Sequence, residues 1–408
     1  MSDENDNPFG LNPLAGGAGA TQPAAQPATQ PGPAAQPPAP ASVSAPVVEP
    51  VAVAAHDDYI NPPDDDDFDF LGAYDDDMGV QDDRLLPENT ARSAISCGFV
   101  GFGGGGGKMA KAFLDMGFNK TLLVNTTEKD QPAGVDPSHF LLIPGADGVG
   151  KDIRLGARIL GDNSALYEDA LRSRLGNVDW LFVLAGGGGG TGSACPVLHE
   201  SAVRYLKTLE SHGKVVYIVS KPSAQELLNP TIANNYSSLL NGVQDHPHIV
   251  VDNEKQLQLL RGKVGLLDMY PAANQVFAKL FHQVLKLASE PSPIQSFDSK
   301  DLERCLHTDG RIFLGSTVIR NPDDRDLGAT VFQGCLRGSP CLPPSRRPAT
   351  GVLLMVLTSA HASDPSVSNR LEAATSYVGG RTDTLFSGVY VKERLPGLVA
   401  LTMFGGMK

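Results

Sequence analysis

The chain reads as an α/β protein. A Rossmann-like parallel-sheet domain is joined by a long central helix to a smaller α+β domain, behind a disordered acidic N-terminal tail. Three observations carry that reading. Apolar runs of strand length alternate with helical stretches through the first half, the pattern of a parallel sheet with crossover helices. Two of those strand-to-helix junctions are runs of glycine. Charge is lopsided: residues 1–92 carry 17 acidic and 2 basic residues, a net of −15, whereas the rest of the 408-residue chain sums to +2.

The elements follow in order. Residues 1–55, rich in Ala, Pro, Gln and Gly, offer little apolar bulk against the entropy of ordering, so disorder is expected. At 56–83, aspartates interleave with Tyr59, Phe68, Phe70, Leu71 and Tyr74. This stretch is either a solvated acidic spacer or a docking element for an adaptor or neighbouring subunit. In the second case its aromatics anchor it in a basic groove and its aspartates steer it there. Order is expected from about Ala94. AISCGFVGF suits a buried strand, and 108–117 a helix closed by Gly117. TLLVN (121–125), DWLFVLA (179–185), KVVYIVS (214–220) and HIVV (248–251) are further strands, with a helical stretch through about Leu209. A long helical pattern at 270–288 precedes RIFLGSTV (311–318), GVLLMVLT (351–358) and LVALTMF (398–404). Fewer helices are expected between those last strands. The expected division is 1–92 tail, 93–265 parallel-sheet domain, 266–289 central helix and 290–408 α+β domain.

Composition excludes several classes. No run of about 18 apolar residues exists, so no membrane span is expected. MSDENDNPFG lacks the apolar centre of a secretory signal. The near-neutral body argues against direct nucleic-acid binding. Five scattered cysteines suit a reducing, cytoplasmic location.

The chemistry lies in the glycine loops. GFGGGGGKMAKAF (101–113) lies between a strand and a helix. Glycine lets backbone N–H groups approach an anion closely, and a helix N-terminus adds positive potential. A Walker A loop is excluded: Lys108 would require glycine where Phe102 sits, and Met109 replaces the magnesium-binding hydroxyl. AGGGGGTGSACP (185–196) repeats the arrangement. PGADGVGKDIRLG (144–156) adds glycines, then Lys151 and Arg154 to meet terminal phosphate charge. A dinucleotide fold needs one such loop; a polyphosphate held from two sides needs more.

Together these motifs resemble the tubulin/FtsZ superfamily. GGGGGTGS is similar to its GGGTG[ST]G signature, and VGFGGGGGK, LLVNTTEKD and GVGKDIRLG resemble its other phosphate loops. VSKPSAQE, VVDNEKQL and MYPAANQVF are similar to its ribose- and base-side segments, and SFDSKDL to the loop after its central helix. The motifs keep family order over about 95–404. Departures are Lys108 for a usual Asn, a signature lacking the glycine after Ser193, Pro230 for a usual Arg, and Ser296 for a usual Asn.

The resemblance implies a cytoskeletal GTPase that binds GTP/GDP with Mg2+, the metal held by phosphates and water rather than by protein ligands. The expected nucleotide-binding residues are Gly104, Gly105, Gly106, Gly107, Lys108, Asn125, Gly148, Gly150, Gly187, Gly188, Gly189, Gly190, Thr191, Gly192 and Ser193. Glu226 is expected at the ribose; Asn253, Tyr270 and Asn274 at the base. Tyr270 and Asn274, four apart at a helix start, share one face, and an aromatic ring plus an amide suits a purine edge. Asp298 and Asp301 are the expected catalytic pair. They lie a central helix away from the base-reading residues, so they either cap the next helix or act on a neighbouring subunit's nucleotide. The implied partner is the chain itself, in a head-to-tail filament serving cell division or the segregation and positioning of DNA or phage particles. The alternatives are a non-hydrolysing structural or adaptor homologue and an NAD-binding Rossmann oxidoreductase with Glu128 as its ribose-binding acid, which leaves the second glycine loop without a role.

Overall fold

A computed structural model describes residues 88–408 apart from Leu266 and Asp323. The Ala/Pro-rich tail to residue 87 and the acidic, aromatic stretch at 56–83 lie outside the described residues. Glu88 to Arg92, assigned above to the tail, are held by the body. Thr90 and Ala91 N–H groups donate to the Gly117 carbonyl at 2.8 and 3.0 Å, and Lys120 pairs with Glu88 at 2.8 Å.

The first half alternates as expected. β1 (Cys97–Phe102) leads into α1 (Gly103–Leu114), then β2 (Thr121–Asn125) and β3 (Phe140–Leu142). α2 (Ile153–Asp162) and α3 (Ser164–Ala170) precede β4 (Trp180–Gly186), the turn α4 (Gly190–Ala194) and α5 (His199–Thr208). β5 (Val215–Lys221), α6 (Pro230–Val243), β6 (His248–Asp252) and α7 (Asn253–Leu260) follow, and then the central helix α8 (Met269–Leu287). The C-terminal part comprises α9 (Ser299–Leu306), β7 (Arg311–Ile319), α10 (Leu327–Gly338), β8 (Thr350–Leu357), α11 (Pro365–Gly379), β9 (Thr384–Val391) and β10 (Leu398–Met407). α10 separates β7 from β8 and α11 separates β8 from β9, whereas β9 leads into β10 without a helix. The Gly- and Ser-containing helices α10 and α11 bury a narrow stripe, Leu327, Gly328, Val331 and Cys335 on one and Val367, Ala374 and Val378 on the other, which is a weak periodic signal.

All ten strands form one sheet in the order β3-β2-β1-β4-β5-β6-β7-β10-β8-β9. Pairing is parallel from β3 to β7 and between β8 and β9; β10 runs antiparallel to β7 and β8. Strand alternation divides the core. Phe182, Leu184, Val216 and Ile218 pack with α1 and α8 in a cluster that continues into the C-terminal strands. Val183, Val215, Tyr217 and Val219 face the other way, toward α2, α3, α5 and α6. The spacing of Phe277, Phe281 and Val284 turns one stripe of α8 onto the sheet. Phe281 meets Phe182 at 5.1 Å and Phe113 at 6.0 Å between ring centroids.

Candidate functional site

Strand order reverses between β1 and β4. From β1 the chain moves outward to β2 and β3; from β4 it moves the other way to β5 and β6. The crevice beyond the carboxyl ends of the strands at such a reversal is where open α/β sheets bind ligands. Both glycine runs sit there.

α1 begins at Gly103, five residues before the expected start at Lys108. The reason is packing. A Cβ on Gly106 would stand 2.2 Å from the Leu184 carbonyl oxygen, and one on Gly101 2.3 Å from the Gly106 carbonyl oxygen. Glycine at these positions lets the helix lie directly on the strands. Gly106 and Gly107 are therefore buried in the helix–sheet contact, whereas Gly104 and Gly105 are not. Lys108 lies beyond the first turn and is exposed. Gly103 sits at φ +67°, and a Cβ there would stand 3.0 Å from the Gly192 nitrogen, so the two glycine turns touch backbone to backbone.

No side chain caps α1 or α4; their N-cap residues are Phe102 and Gly189. Their first-turn N–H groups are thus unclaimed by side chains. Gly189 is exposed, with nothing within 4 Å of its would-be Cβ. Gly187 and Gly188 are backed by Tyr236 and Ile232. The Ser193 hydroxyl is buried with no hydrogen-bond partner. Two helix starts without side-chain caps, an open backbone position and an orphaned hydroxyl fit an anionic ligand. α2 differs, because Asp152 caps it, accepting from the Arg154 and Leu155 N–H groups at 3.0 Å each.

The third loop closes on the second. The Gly190 N–H donates to the Gly150 carbonyl at 2.9 Å, and Gly148 N–H to Thr126 at 2.8 Å. Gly148 and Gly150 have φ +85° and +56°, so their turns favour glycine. Two residues that the sequence reading missed hold this assembly. The Thr126 and Thr191 hydroxyls meet at 3.0 Å, tying the end of β2 to α4. The Asn235 amide, buried on α6, donates to the Lys151 carbonyl at 2.9 Å and the Gly188 carbonyl at 3.4 Å. A polar residue on an otherwise apolar helix face was the available signal. Asn125 serves the loop itself: its Oδ1 accepts from Thr126 N–H at 2.8 Å. Lys129 pairs with Asp147, which also accepts from the Thr127 hydroxyl at 2.8 Å. Those two contacts hold the Asp147 carboxyl below its usual range, the Lys129 bond first.

The base-side candidates gather where β5, β6 and α8 meet. Asn253 Oδ1 accepts from Ser220 at 2.8 Å. Glu226 accepts from the Ser223 N–H and hydroxyl at 2.8 and 2.9 Å, so one carboxylate oxygen shapes its own turn. Tyr270 is 44% exposed at the start of α8. Its phenol is pushed up by burial first and then by the carboxylates of Glu226 and Glu254. Asn274 follows one turn later, half-buried.

Asp298 and Asp301 lie past the far end of α8. Asp298 caps α9, its Oδ1 accepting from the Asp301 N–H at 3.0 Å. Ser296 does not cap; its hydroxyl accepts from Ser292 N–H at 3.1 Å. Asp301 pairs with Arg304 at 3.2 Å. Burial, then the Asp298 charge, raises the Asp301 carboxyl against the pull of Arg304. Among the described residues, no group of three or more His, Cys, Asp or Glu side chains could hold a metal ion, and no helix is long and apolar enough to cross a membrane.

Comparison with known proteins bears on this geometry. No family model matches the chain. It is 28% identical over 182 residues to the cell division protein FtsZ of Wigglesworthia glossinidia brevipalpis, covering 42% of this chain and 44% of that protein. It is 26% identical over 312 residues to cell division protein FtsZ 2 of Methanocaldococcus jannaschii, covering 71% and 76%. A GTPγS-bound CetZ2 protofilament from Haloferax volcanii superposes with a TM-score of 0.61 at 22% identity, covering 77% of this chain and 94% of the other. A GTPγS-form protofilament of TubZ from Bacillus thuringiensis serovar israelensis superposes with a TM-score of 0.63 at 19% identity, covering 78% and 88%. The first pair is similar in sequence at below 30% identity, and the second pair shares the architecture, so the chain has the tubulin/FtsZ fold.

Proposed function

We propose that the chain binds and hydrolyses GTP and polymerises head-to-tail, each reaction centre being completed by the Asp298/Asp301 loop of the neighbouring subunit. One observation carries the reading: two uncapped glycine-built helix starts and a third glycine loop converge at the reversal point of the sheet. Their N–H groups suit the phosphates. Tyr270 offers a face for the base, Asn253 and Asn274 offer amides for its edge, and the second Glu226 oxygen suits a ribose hydroxyl. Magnesium, held by phosphates and water, would neutralise phosphate charge.

Catalysis in trans follows from length. α8 has 19 residues, so at 1.5 Å per residue it separates Tyr270 from the aspartate loop by roughly 28 Å. The pair is out of reach of the chain's own nucleotide and suits water on a neighbour's. Capping occupies one Asp298 oxygen and leaves the other free for that task. Such a contact joins unlike surfaces and therefore extends as an open filament. The role would be cell division, as in the names of the sequence relatives, or the segregation and positioning of DNA or particles.

GTP hydrolysis per subunit should rise steeply with protein concentration and track GTP-dependent sedimentation. Asp301→Ala should bind GTP normally, hydrolyse it at least tenfold more slowly and form longer-lived polymers. Specific activity independent of concentration down to the lowest dilution contradicts a shared active centre.

A further inference from the structure

At the sheet edge opposite the glycine loops, a cavity of about 380 Å³ opens in the C-terminal part, lined by Phe332, Arg346, Arg347, Arg381, Phe404 and neighbouring prolines. Its floor is aromatic: Phe404 is buried, with the Phe332 ring 5.9 Å away. Its rim is cationic. Arg381 lies over the rings of Tyr377 at 3.4 Å and Phe332 at 5.1 Å. Arg347 is committed to structure, bonded to Asp383 at 2.8 Å and to the Gly380 and Thr382 carbonyls. Arg346 is exposed and reaches the Lys408 carbonyl. Arg311 adds a guanidinium behind them, bonded to Pro343 and Ser345 at 2.9 and 2.8 Å. Guanidinium groups over aromatic walls suit a ligand that is itself acidic and aromatic.

The chain carries such a ligand. Asp64 to Asp77 reads DDDDFDFLGAYDDD, eight aspartates around Phe68, Phe70 and Tyr74 with no basic residue. Strand register shows that it can reach. Glu88 and Asn89 bond to Asn119 and Lys120, where β2 begins. β6 and β7 begin at that same edge, β10 ends there beside Arg311, and β8 begins there beside Gly405. From β2 to β8 is seven strand spacings, roughly 34 Å at about 4.8 Å each. Residues 78–87, fully extended, span up to about 36 Å, enough to bridge that distance.

We infer that this cleft docks residues Asp64 to Asp77 of the same chain, an aromatic side chain entering beside Phe332 and Phe404 and aspartates pairing with Arg346 and Arg381. The docked segment leaves the acidic pair uncovered. Phe404 faces Phe332 on α10, whereas a Cβ on the next residue, Gly405, would face Thr308 and Cys305 on the α9 side. The inference therefore stands apart from the proposed GTPase.

The test uses the full chain with a photo-crosslinking benzoylphenylalanine at Phe70, as a mixture of light and 15N-labelled protein. Irradiation should link residue 70 to the segments around Phe332, Arg346 and Arg381 within single chains. Yield should fall at least fivefold in 0.5 M salt, where exposed charges are screened within about 4 Å. It should fall equally in Arg346→Glu and be retained in Arg346→Lys; circular dichroism identifies any variant that misfolds. Links to other surfaces, links only between light and heavy chains, or an unchanged yield in folded Arg346→Glu each overturn the assignment. So does a link abolished by 10 mM phosphate at matched ionic strength but indifferent to Phe68→Ala with Tyr74→Ala, which marks a bare anion site.

Discussion

Adjacent glycines in α1 should respond to alanine with opposite signs. At Gly106 a Cβ would lie 2.2 Å from the Leu184 carbonyl oxygen and 3.2 Å from the Ala185 Cα. Relief demands that α1 lift from β4 by about 1 Å, an overpacking cost of the 1–3 kcal/mol class or above. Alanine's helix preference returns about 1 kcal/mol, leaving a net loss near 2 kcal/mol. At Gly107 the nearest atom to a Cβ is Leu123 Cδ2 at 3.6 Å, ordinary contact, so only the propensity term remains. Gly107→Ala should gain up to about 1 kcal/mol. Thermal unfolding by calorimetry should place Gly106→Ala several degrees below wild type and Gly107→Ala at or above it. The lift would also drag the contact between Gly103 and Gly192, so Gly106→Ala should lose nucleotide affinity as well. If both variants melt together, or Gly106→Ala matches wild type, the packing argument for the glycine run fails.

Tyr270→Ala should weaken guanine-nucleotide binding about tenfold, read by titration calorimetry, with melting within about 1 °C of wild type because the side chain is 44% exposed. Asp298→Ala should cost about 1 kcal/mol through loss of the α9 cap, with Asp298→Asn recovering most of it, measured by urea unfolding. His199 stacks on His246 at 3.9 Å, and burial first, then the His246 charge, brings its imidazole down to about 4 from an ordinary 6.5. The unfolded state then binds the proton more readily, so stability is full above pH 6.5 and is lost as pH falls toward 4. His199→Gln should flatten that acid limb between pH 7 and 4.5 in urea melts; an unchanged limb removes His199 as its source.

Much of the architecture was legible because it is written in runs. β1, β2, β4, β5 and β6 are buried on both faces, so each is a continuous apolar stretch. The glycine junctions stand out because few other residues fit a helix laid against a strand. β3 escaped because it has three residues, and β9 because its first half is not buried. The helix start at Gly103 was invisible locally, since a run of glycines reads as a loop until the strand beneath it is known.

Residue type and order announced an anion-binding α/β protein and the chemistry it would use. Contacts between distant segments settled the rest: that Gly106 packs while Gly189 stays open, that Thr126 meets Thr191, that Asp298 caps its own helix, and that arginines from separate loops line one cleft with Phe332 and Phe404. Periodicity reports a neighbour's solvent exposure along one element. It carries no information about which carbonyl, hydroxyl or ring arrives from elsewhere in the chain, and those arrivals assign each side chain its task.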